Sequence, residues 1–403
     1  MNRSDAVDPA GHDFRKRGLL NKRGPETSRW LPGVLSAALI LGLLGGIHLL
    51  LVRIPAEPLG ECQFGGQLVP TASQQRTDSL AGPLDNSGAM GEFMPLTTDV
   101  SWRFGFGLAT RADPARWAPV LGAGWYLDWS AAAGPSDRAV EHWQMVRVAP
   151  GCTRPAPEEA ARLARENPGQ TWIIGNEPDV IWQDNLTPER YAEAYHAYDA
   201  AIRHADPSAR LAVAGVAQPT PLRLAYLDRV LEAYQAAYGR PMAVDVWTVH
   251  NFVLREERGS WGAEIPPGFE EVRTGRLCEV SDHARLDLFE EQLREFRRWM
   301  ARHGYRDTPL ALTEFGILMP SEYGFPTEAV ADYLQATVGL LMQLHDRASG
   351  YPADGNLLVQ RWAWFSLSDA QFPTGNLANL DTGRLTVLGQ SYRRSVERWA
   401  SGH

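Results

Sequence analysis

The chain has 403 residues, 44% of them hydrophobic and 10% aromatic, and its formal net charge is −9. This composition supplies a large globular core, and the acidic balance argues against nucleic-acid binding, which needs a basic surface. Three cysteines without a C-x-x-C pair exclude a disulfide-built scaffold. The 14 tryptophans are suited to stacking against sugar rings or other flat apolar surfaces.

The first hundred residues divide into three segments. Residues 1–29 are polar and basic, and residues 30–52 contain no Asp, Glu, Lys or Arg. The second segment has the length of a transmembrane helix, and a cleaved export signal is the alternative. In both cases the basic flank stays cytoplasmic and the remainder is exported. Residues 53–100 are rich in Gly, Pro, Ser, Thr and Gln and are interpreted as a flexible stalk.

Apolar strand-like runs alternate with amphipathic helical runs over residues 101–403. The predicted strands are Arg103–Ala109, Ala123–Trp129, His142–Val148, Thr171–Gly175, Ala209–Val216, Val244–His250, Leu310–Phe315 and Val359–Phe365. The predicted helices are Pro157–Glu166, Pro188–His204, Leu222–Tyr238, Leu286–His303, Thr327–His345 and Leu388–Ala400. Eight strands with helical crossovers predict an α/β fold, a (β/α)₈ TIM barrel.

The fourth predicted strand ends in a polar corner. Its apolar run is followed by Asn176, Glu177 and Pro178, and the proline ends the strand because it has no N–H for the ladder. Glu177 is thereby placed at the carboxyl end of a buried strand, the face on which barrel enzymes carry their active sites. The alternative is an acidic loop that begins a turn.

Other strand ends also carry functional side chains. The sixth ends in His250, the seventh carries Glu314, and the eighth carries Trp364. Glutamates on strands four and seven would face each other across the barrel mouth. Glycoside hydrolysis needs such a pair, one as acid and one as nucleophile or base, and their surroundings must separate their pKa values. No metal-ligand spacing or Gly-rich phosphate loop is recognised, so no cofactor is expected.

Four stretches resemble the clan A glycoside hydrolases and are most similar to family 128. They are Trp125–Ser130, Ile174–Asp179, Val244–His250 and Leu312–Gly316. The resemblance implies that Glu177 is the general acid/base and Glu314 the nucleophile of a retaining mechanism. It also implies that Asn176 binds a sugar 2-hydroxyl in the −1 subsite, and that the substrate is normally a β-1,3-glucan.

Two departures from the family pattern leave the glycan open. The family tends to have His-x-Tyr after strand six, whereas this chain has His250-Asn251-Phe252. The third predicted strand also lacks the usual Pro-rich ending.

Several further residues have two interpretations each. His250 binds a sugar hydroxyl or the nucleophile, or is a buried structural histidine. Trp125, Trp129 and Trp364 are stacking platforms for sugar rings, or core residues.

Ionic residues near the barrel mouth are also open to two interpretations. Arg147 pairs with a carboxylate at the mouth, or makes a structural ion pair. Asp179 caps the following segment, or binds sugar. The segment 253–285 is long enough to wall a cleft, and Cys152 could pair with Cys278.

The sequence therefore predicts a single-pass, membrane-anchored glycoside hydrolase whose catalytic domain lies outside the cytoplasm. Its partners would be a polysaccharide or oligosaccharide, with a β-glucan as the candidate glycan, and the membrane through residues 30–52. The alternative is a non-catalytic carbohydrate-binding or scaffolding protein on the same barrel. The enzyme would have a raised pKa on Glu177, whereas the binding protein would have an open aromatic groove and unperturbed glutamates.

Overall fold

The computed structural model describes residues 100–109, 112–132 and 140–402. The predicted tail (1–29), membrane segment (30–52) and nearly all of the predicted stalk lie outside these residues. Within the described part of the chain, no helix is both long enough and apolar enough to span a bilayer.

Strands and helices alternate through the described chain. The strands are β1 (Phe104–Gly107), β2 (Trp125–Leu127), β3 (Glu141–His142), β4 (Gln144–Ala149), β5 (Cys152–Arg154), β6 (Thr171–Ile174), β7 (Arg210–Val213), β8 (Trp247–His250), β9 (Leu310–Phe315), β10 (Arg361–Trp364), β11 (Ala378–Asn379) and β12 (Arg384–Leu385). The helices are α1 (Pro114–Leu121), α2 (Pro157–Glu166), α3 (Pro188–Ala205), α4 (Pro221–Tyr238), α5 (Leu286–Arg302), α6 (Thr327–Leu341) and α7 (Val387–Ala400).

The parallel pairings close into a ring. One sheet runs β3-β2-β1-β10-β9-β8, and a second contains β4, β6 and β7 as parallel neighbours. A parallel bridge between Ala212 and Val246 joins β7 to the residue before β8. On the other side only Trp143 separates β3 from β4. The result is a mixed α/β fold whose parallel strands form a barrel-like wall, as predicted.

The predicted elements are present, with most of their ends within two or three residues of the prediction. One missed helix is α1, although Asp113 caps its first turn and Pro114 occupies the first helical position. The connection from β2 to β3 contains no helix in its described residues. The strand β5 and the β11–β12 hairpin were also not predicted, because runs of two or three residues carry no periodicity.

Seven of the 14 tryptophans are exposed to 1% or less. They are Trp125, Trp143, Trp172, Trp247, Trp299, Trp362 and Trp364. Several of them pack edge-to-face against other rings, as Trp247 does against Trp299, with ring centroids 4.9 Å apart. Much of the tryptophan content is therefore explained by the core rather than by sugar-stacking surfaces.

Candidate active site

The corner after β6 holds Glu177 in an unusual backbone conformation. Its φ is +43°, in the left-handed region that a side chain with a Cβ rarely adopts. Such a conformation costs on the order of 1–3 kcal/mol and persists only where the surroundings impose it. Here the Glu177 N–H donates to the carbonyl of Gly215, 3.1 Å away, just after the neighbouring strand β7.

A buried aspartate fixes the same corner from behind. Asp184 Oδ2 accepts the backbone N–H groups of Asn176, at 2.7 Å, and Val148, at 3.1 Å. Its other oxygen accepts from Arg147 Nε at 2.7 Å. Arg147 thus makes a structural ion pair, one of the two predicted alternatives, and Asp184 is a supporting residue that sequence reasoning missed.

Glu314 is brought into the site by an irregularity in β9. Val249 lies beside Leu312, but the next residue, His250, lies beside Glu314 rather than Thr313. The pairing with β10 shifts at the same place. Such a bulge re-aims a side chain, and bulges are frequent beside active sites. It places Glu314 next to His250 at the carboxyl end of the barrel.

His250 lies between the two glutamates. Its Nδ1 is 2.8 Å from Glu177 Oε1 and its Nε2 is 3.4 Å from Glu314 Oε1. The ring has room because residue 215 is glycine, where a Cβ would come within 2.6 Å of His250 Cδ2. Of the predicted alternatives, contact with the candidate nucleophile is the one found, and His250 also contacts the candidate acid.

Trp129, predicted as a sugar platform, contacts Glu314 instead. Its indole Nε1 donates to Glu314 Oε1 at 2.7 Å, and the side chain is almost entirely buried. Phe365 lies edge-on to it, 5.7 Å between ring centroids.

Burial dominates the electrostatics of Glu314. Burial and the nearby charge of Glu177 raise the pKa of Glu314 to about 7, against the opposing effects of His250, Trp129 and Arg147. The raised pKa that the sequence predicts for Glu177 stays a prediction. Burial lowers the pKa of His250, but the charges of Glu314 and Glu177 outweigh it and raise that pKa above its usual value.

The three side chains also have a spacing that a cation could use. One donor atom each from Glu177, His250 and Glu314 lies within 4.8 Å of the others. The ring nitrogen nearest Glu177 is at ordinary hydrogen-bonding distance, so we interpret the cluster as a hydrogen-bonded Glu177–His250 pair with Glu314 at ion-pair distance.

The other two predicted platforms are core residues. Trp125 is fully buried, and its Nε1 donates to the Arg103 carbonyl at 3.2 Å. Trp364 is fully buried as well, and its Nε1 donates to the Gly375 carbonyl at 2.8 Å. Neither ring offers a face to a sugar in this structure. A partly exposed aromatic that sequence reasoning missed is Phe372, whose ring centroid lies 6.0 Å from that of Phe365.

Asn176 lies at the site with one unsatisfied atom. Its amide Nδ2 is 3.4 Å from Gln183 Oε1, while its Oδ1 is buried without a hydrogen-bond partner among the described residues.

Asp179 does not cap the following segment, and that prediction is wrong. It is fully buried and forms an ion pair with Arg223, which also binds Glu256 at 2.9 Å. Arg223 further donates to the carbonyls of Ala263 and Glu264. These bonds anchor part of the segment 253–285 to the barrel.

Cys152 and Cys278 do not form the disulfide that the sequence leaves open. Cys278 is a free, buried thiol, so it is not joined to Cys152. Cys152 is itself disulfide-bonded.

Comparison with known proteins finds likeness at the level of structure only. No protein-family model matches the chain, and no curated protein matches it. A family 128 (subgroup II) endo-beta-1,3-glucanase from Pseudomonas viridiflava is 21% identical with a TM-score of 0.48, covering 73% of this chain and 97% of that one. The subgroup II enzyme from Sorangium cellulosum is 18% identical with a TM-score of 0.48, covering 73% and 98%.

A third similar structure has a different action. It is a family 128 (subgroup III) curdlan-specific exo-beta-1,3-glucanase from Blastomyces gilchristii, 19% identical with a TM-score of 0.48, covering 72% of this chain and 97% of that one. These structural neighbours belong to the family whose motifs the sequence resembles. At such identities and TM-scores the likeness carries no argument about activity, which has to come from the site itself.

Proposed function

We propose that this protein is a retaining glycoside hydrolase that acts on a polysaccharide. The observation that carries the proposal is the pair Glu177 and Glu314 at the carboxyl end of the barrel, with one carboxylate oxygen of each within 4.8 Å of the other and with His250 in contact with both. A closely spaced carboxyl pair flanking one bond is what double displacement at a sugar requires.

In the proposed reaction Glu314 attacks the anomeric carbon as Glu177 gives its proton to the departing glycosidic oxygen. The carbon–oxygen bond breaks, and the sugar is left as an ester of Glu314. Glu177, now a carboxylate, takes a proton from water, and the resulting hydroxide displaces Glu314 from the sugar. Retaining enzymes have carboxyl groups about 5–5.5 Å apart and inverting ones about 6.5–9.5 Å. The close approach here supports the retaining course.

The surroundings of the pair support a reactive role for it. Only 12% of the Glu177 side chain and 8% of the Glu314 side chain are exposed, so the pair interacts in a medium of low polarity. The bridging His250 offsets part of the negative charge. Asn176 Oδ1 is buried beside the pair without a hydrogen-bond partner among the described residues, and accepting a bond from a sugar hydroxyl is the role that the family resemblance implies for it.

The membrane-anchored, extracytoplasmic location remains part of the proposal. The apolar segment 30–52 supports it through its length. The disulfide at Cys152 supports it too, because such bonds persist mainly in oxidising compartments.

The rival function, a binding protein without catalysis, predicts unperturbed glutamates and exposed aromatic rings. The raised pKa of Glu314 and the burial of Trp125 and Trp364 argue against this rival.

A first test measures the reducing ends that the full-length protein and E314Q release from β-glucans of several linkages. The panel includes β-1,3-glucan and β-1,4-glucan. The proposal predicts release by the parent protein on at least one glycan and none above background by E314Q. Glycan binding by both proteins without release from any glycan would favour the rival.

A second test assigns the two roles by adding azide to the alanine variants. In E177A, azide should attack the sugar ester of Glu314 and give a glycosyl azide of retained configuration. In E314A, azide should enter the space of the lost carboxylate and give the inverted azide. The opposite assignment of products would exchange the roles of the two glutamates.

A further inference from the structure

Trp129 donates a hydrogen bond to only one of the two carboxylate oxygens of the proposed nucleophile, Glu314. The indole N–H and the His250 Nε2 both approach Glu314 Oε1, at 2.7 and 3.4 Å. No described residue donates to Oε2. One oxygen is therefore held, while the other has no hydrogen-bond donor within the described part of the chain.

The local backbone is shaped to place the ring there. Trp129 has a φ of +56°, a conformation unfavourable for a bulky aromatic residue. The adjacent strand β1 leaves room for the ring because residue 107 is glycine. A Cβ at this position would come within 2.7 Å of the Trp129 ring. Phe365, which directly follows β10, packs edge-on against the same ring. Three separate elements thus fix one indole against Glu314.

The chemistry of indole suits this position. The Nε1–H donates but cannot accept, so it favours the carboxylate form and takes no proton from it. A hydrogen bond to a charged acceptor is also stronger than one between neutral groups. Other charged or titratable groups facing Glu314 are His250 on β8, Glu177 after β6 and Arg147 on β4.

We propose that Trp129 is a positioning residue for Glu314, which holds Oε1 so that Oε2 is presented to the anomeric carbon. The inference rests on the proposed hydrolase function. It replaces the sugar-stacking role that the sequence predicts for this tryptophan.

The test compares Trp129→Phe with Trp125→Phe in the full-length protein. Both variants lose an indole N–H from β2 or its end, but the Trp125 indole donates to a backbone carbonyl far from the chemistry. For Trp129→Phe we expect kcat to fall about ten- to one-hundredfold, with KM within about threefold and the acid limb of kcat/KM higher by about one pH unit. Trp125→Phe should leave kcat, KM and that limb unchanged, whatever its effect on thermal stability.

A raised KM in Trp129→Phe with an unchanged acid limb would restore the sugar-stacking role and overturn the proposal. If the Phe variant does not fold, benzothienylalanine at position 129 removes the N–H while keeping the ring shape, and the same expectations apply.

A readout without substrate separates this proposal from the proposed function. Carboxyl ¹³C NMR of labelled glutamate, with E314Q to assign the signal, follows Glu314 in the resting protein. An upward shift of its titration in Trp129→Phe would support the contact even if no glycan is hydrolysed. An unchanged titration would overturn the positioning role while leaving hydrolysis itself open to its own tests.

Discussion

Two buried clusters at the carboxyl end of the barrel each place two carboxylates around one nitrogen base. The base is an arginine in one cluster and a histidine in the other. In one, Arg223 lies between Asp179 and Glu256, and all three side chains are 0% exposed. In the other, His250 lies between Glu177 and Glu314, which keep a little exposure. Glu177 and Asp179 are only two residues apart, so one short turn supplies a carboxylate to each cluster.

The difference separates a structural ion cluster from a reactive one. A guanidinium stays charged and offers several fixed donors, so the base of the Arg223 cluster keeps its charge at any ordinary pH. An imidazole titrates near neutrality and has only two nitrogens, so the His250 cluster can gain or lose protons. Composition alone does not make a catalytic site; the titratable base and access for a substrate do.

The largest expected effect on activity belongs to Glu314. E314Q should lower kcat by at least about 10³-fold, since the proposed nucleophile is gone. Its thermal stability at pH 8 should be equal to or above that of the parent, because the variant no longer buries a carboxylate. Activity assays and thermal melts on the same preparation measure both, and a lowered melting temperature with partial activity would contradict the account.

The largest expected effect on stability belongs to the other cluster. Arg223→Met leaves Asp179 and Glu256 buried without their base, and it should lower the free energy of unfolding by about 3–5 kcal/mol. Urea unfolding at pH 7 measures the loss. An effect below about 1 kcal/mol would mean that the cluster is not a major structural support.

The pH dependence should have opposite signs for activity and for the Glu314 contribution to stability. Because Glu314 must be ionised to attack, kcat/KM should rise as the pH rises through about 7. The folded-state pKa is above the unfolded value, so this group favours folding below its unfolded pKa and loses that contribution as the pH rises through about 7. Rate profiles and melts from pH 4 to 9 check both signs, and an acid limb near pH 4 would refute the first.

The smallest effect is expected from a third cluster of the same composition on the surface. Arg162 pairs with Glu159 and Glu166 along α2, with side chains 45–47% exposed. Because solvent screens such pairs, Arg162→Ala should change the free energy of unfolding by no more than about 0.5 kcal/mol. Urea unfolding beside Arg223→Met provides the matched comparison, and a loss comparable to that variant would show that burial is not what distinguishes the clusters.

The succession of strands and helices along the chain could be predicted, and so could the positions of the two glutamates at strand ends, because both depend on local signals. The apolar runs, Pro178 after β6 and the proline-started helices all lie within a few residues of what they specify. The alternation of the elements then places Glu177 and Glu314 at one end of the barrel.

The contacts within the site could not be predicted, because they depend on register and burial. The bulge that sets Glu314 beside His250 shifts the pairing by one residue, and the apolar pattern of β9 carries no sign of it. The roles of Trp129 and Trp125 differ although Trp125 begins β2 and Trp129 lies two residues after it, since the Trp129 indole donates to a carboxylate and the Trp125 indole to a carbonyl. The raised pKa on Glu314 follows from its burial, which composition does not reveal.

The central claim, that Glu314 forms a covalent bond to the sugar, can be tested by trapping. The 2-fluorine of a 2-deoxy-2-fluoro glycosyl fluoride slows both steps, because it destabilises their positively charged transition states. The anomeric fluoride is a good leaving group that speeds only the first step, so the ester should form and accumulate. Peptide mass spectrometry should then find one added sugar on the peptide that contains Glu314. A sugar on the peptide with Glu177, or steady hydrolysis with no labelled peptide and inverted product, would contradict the account.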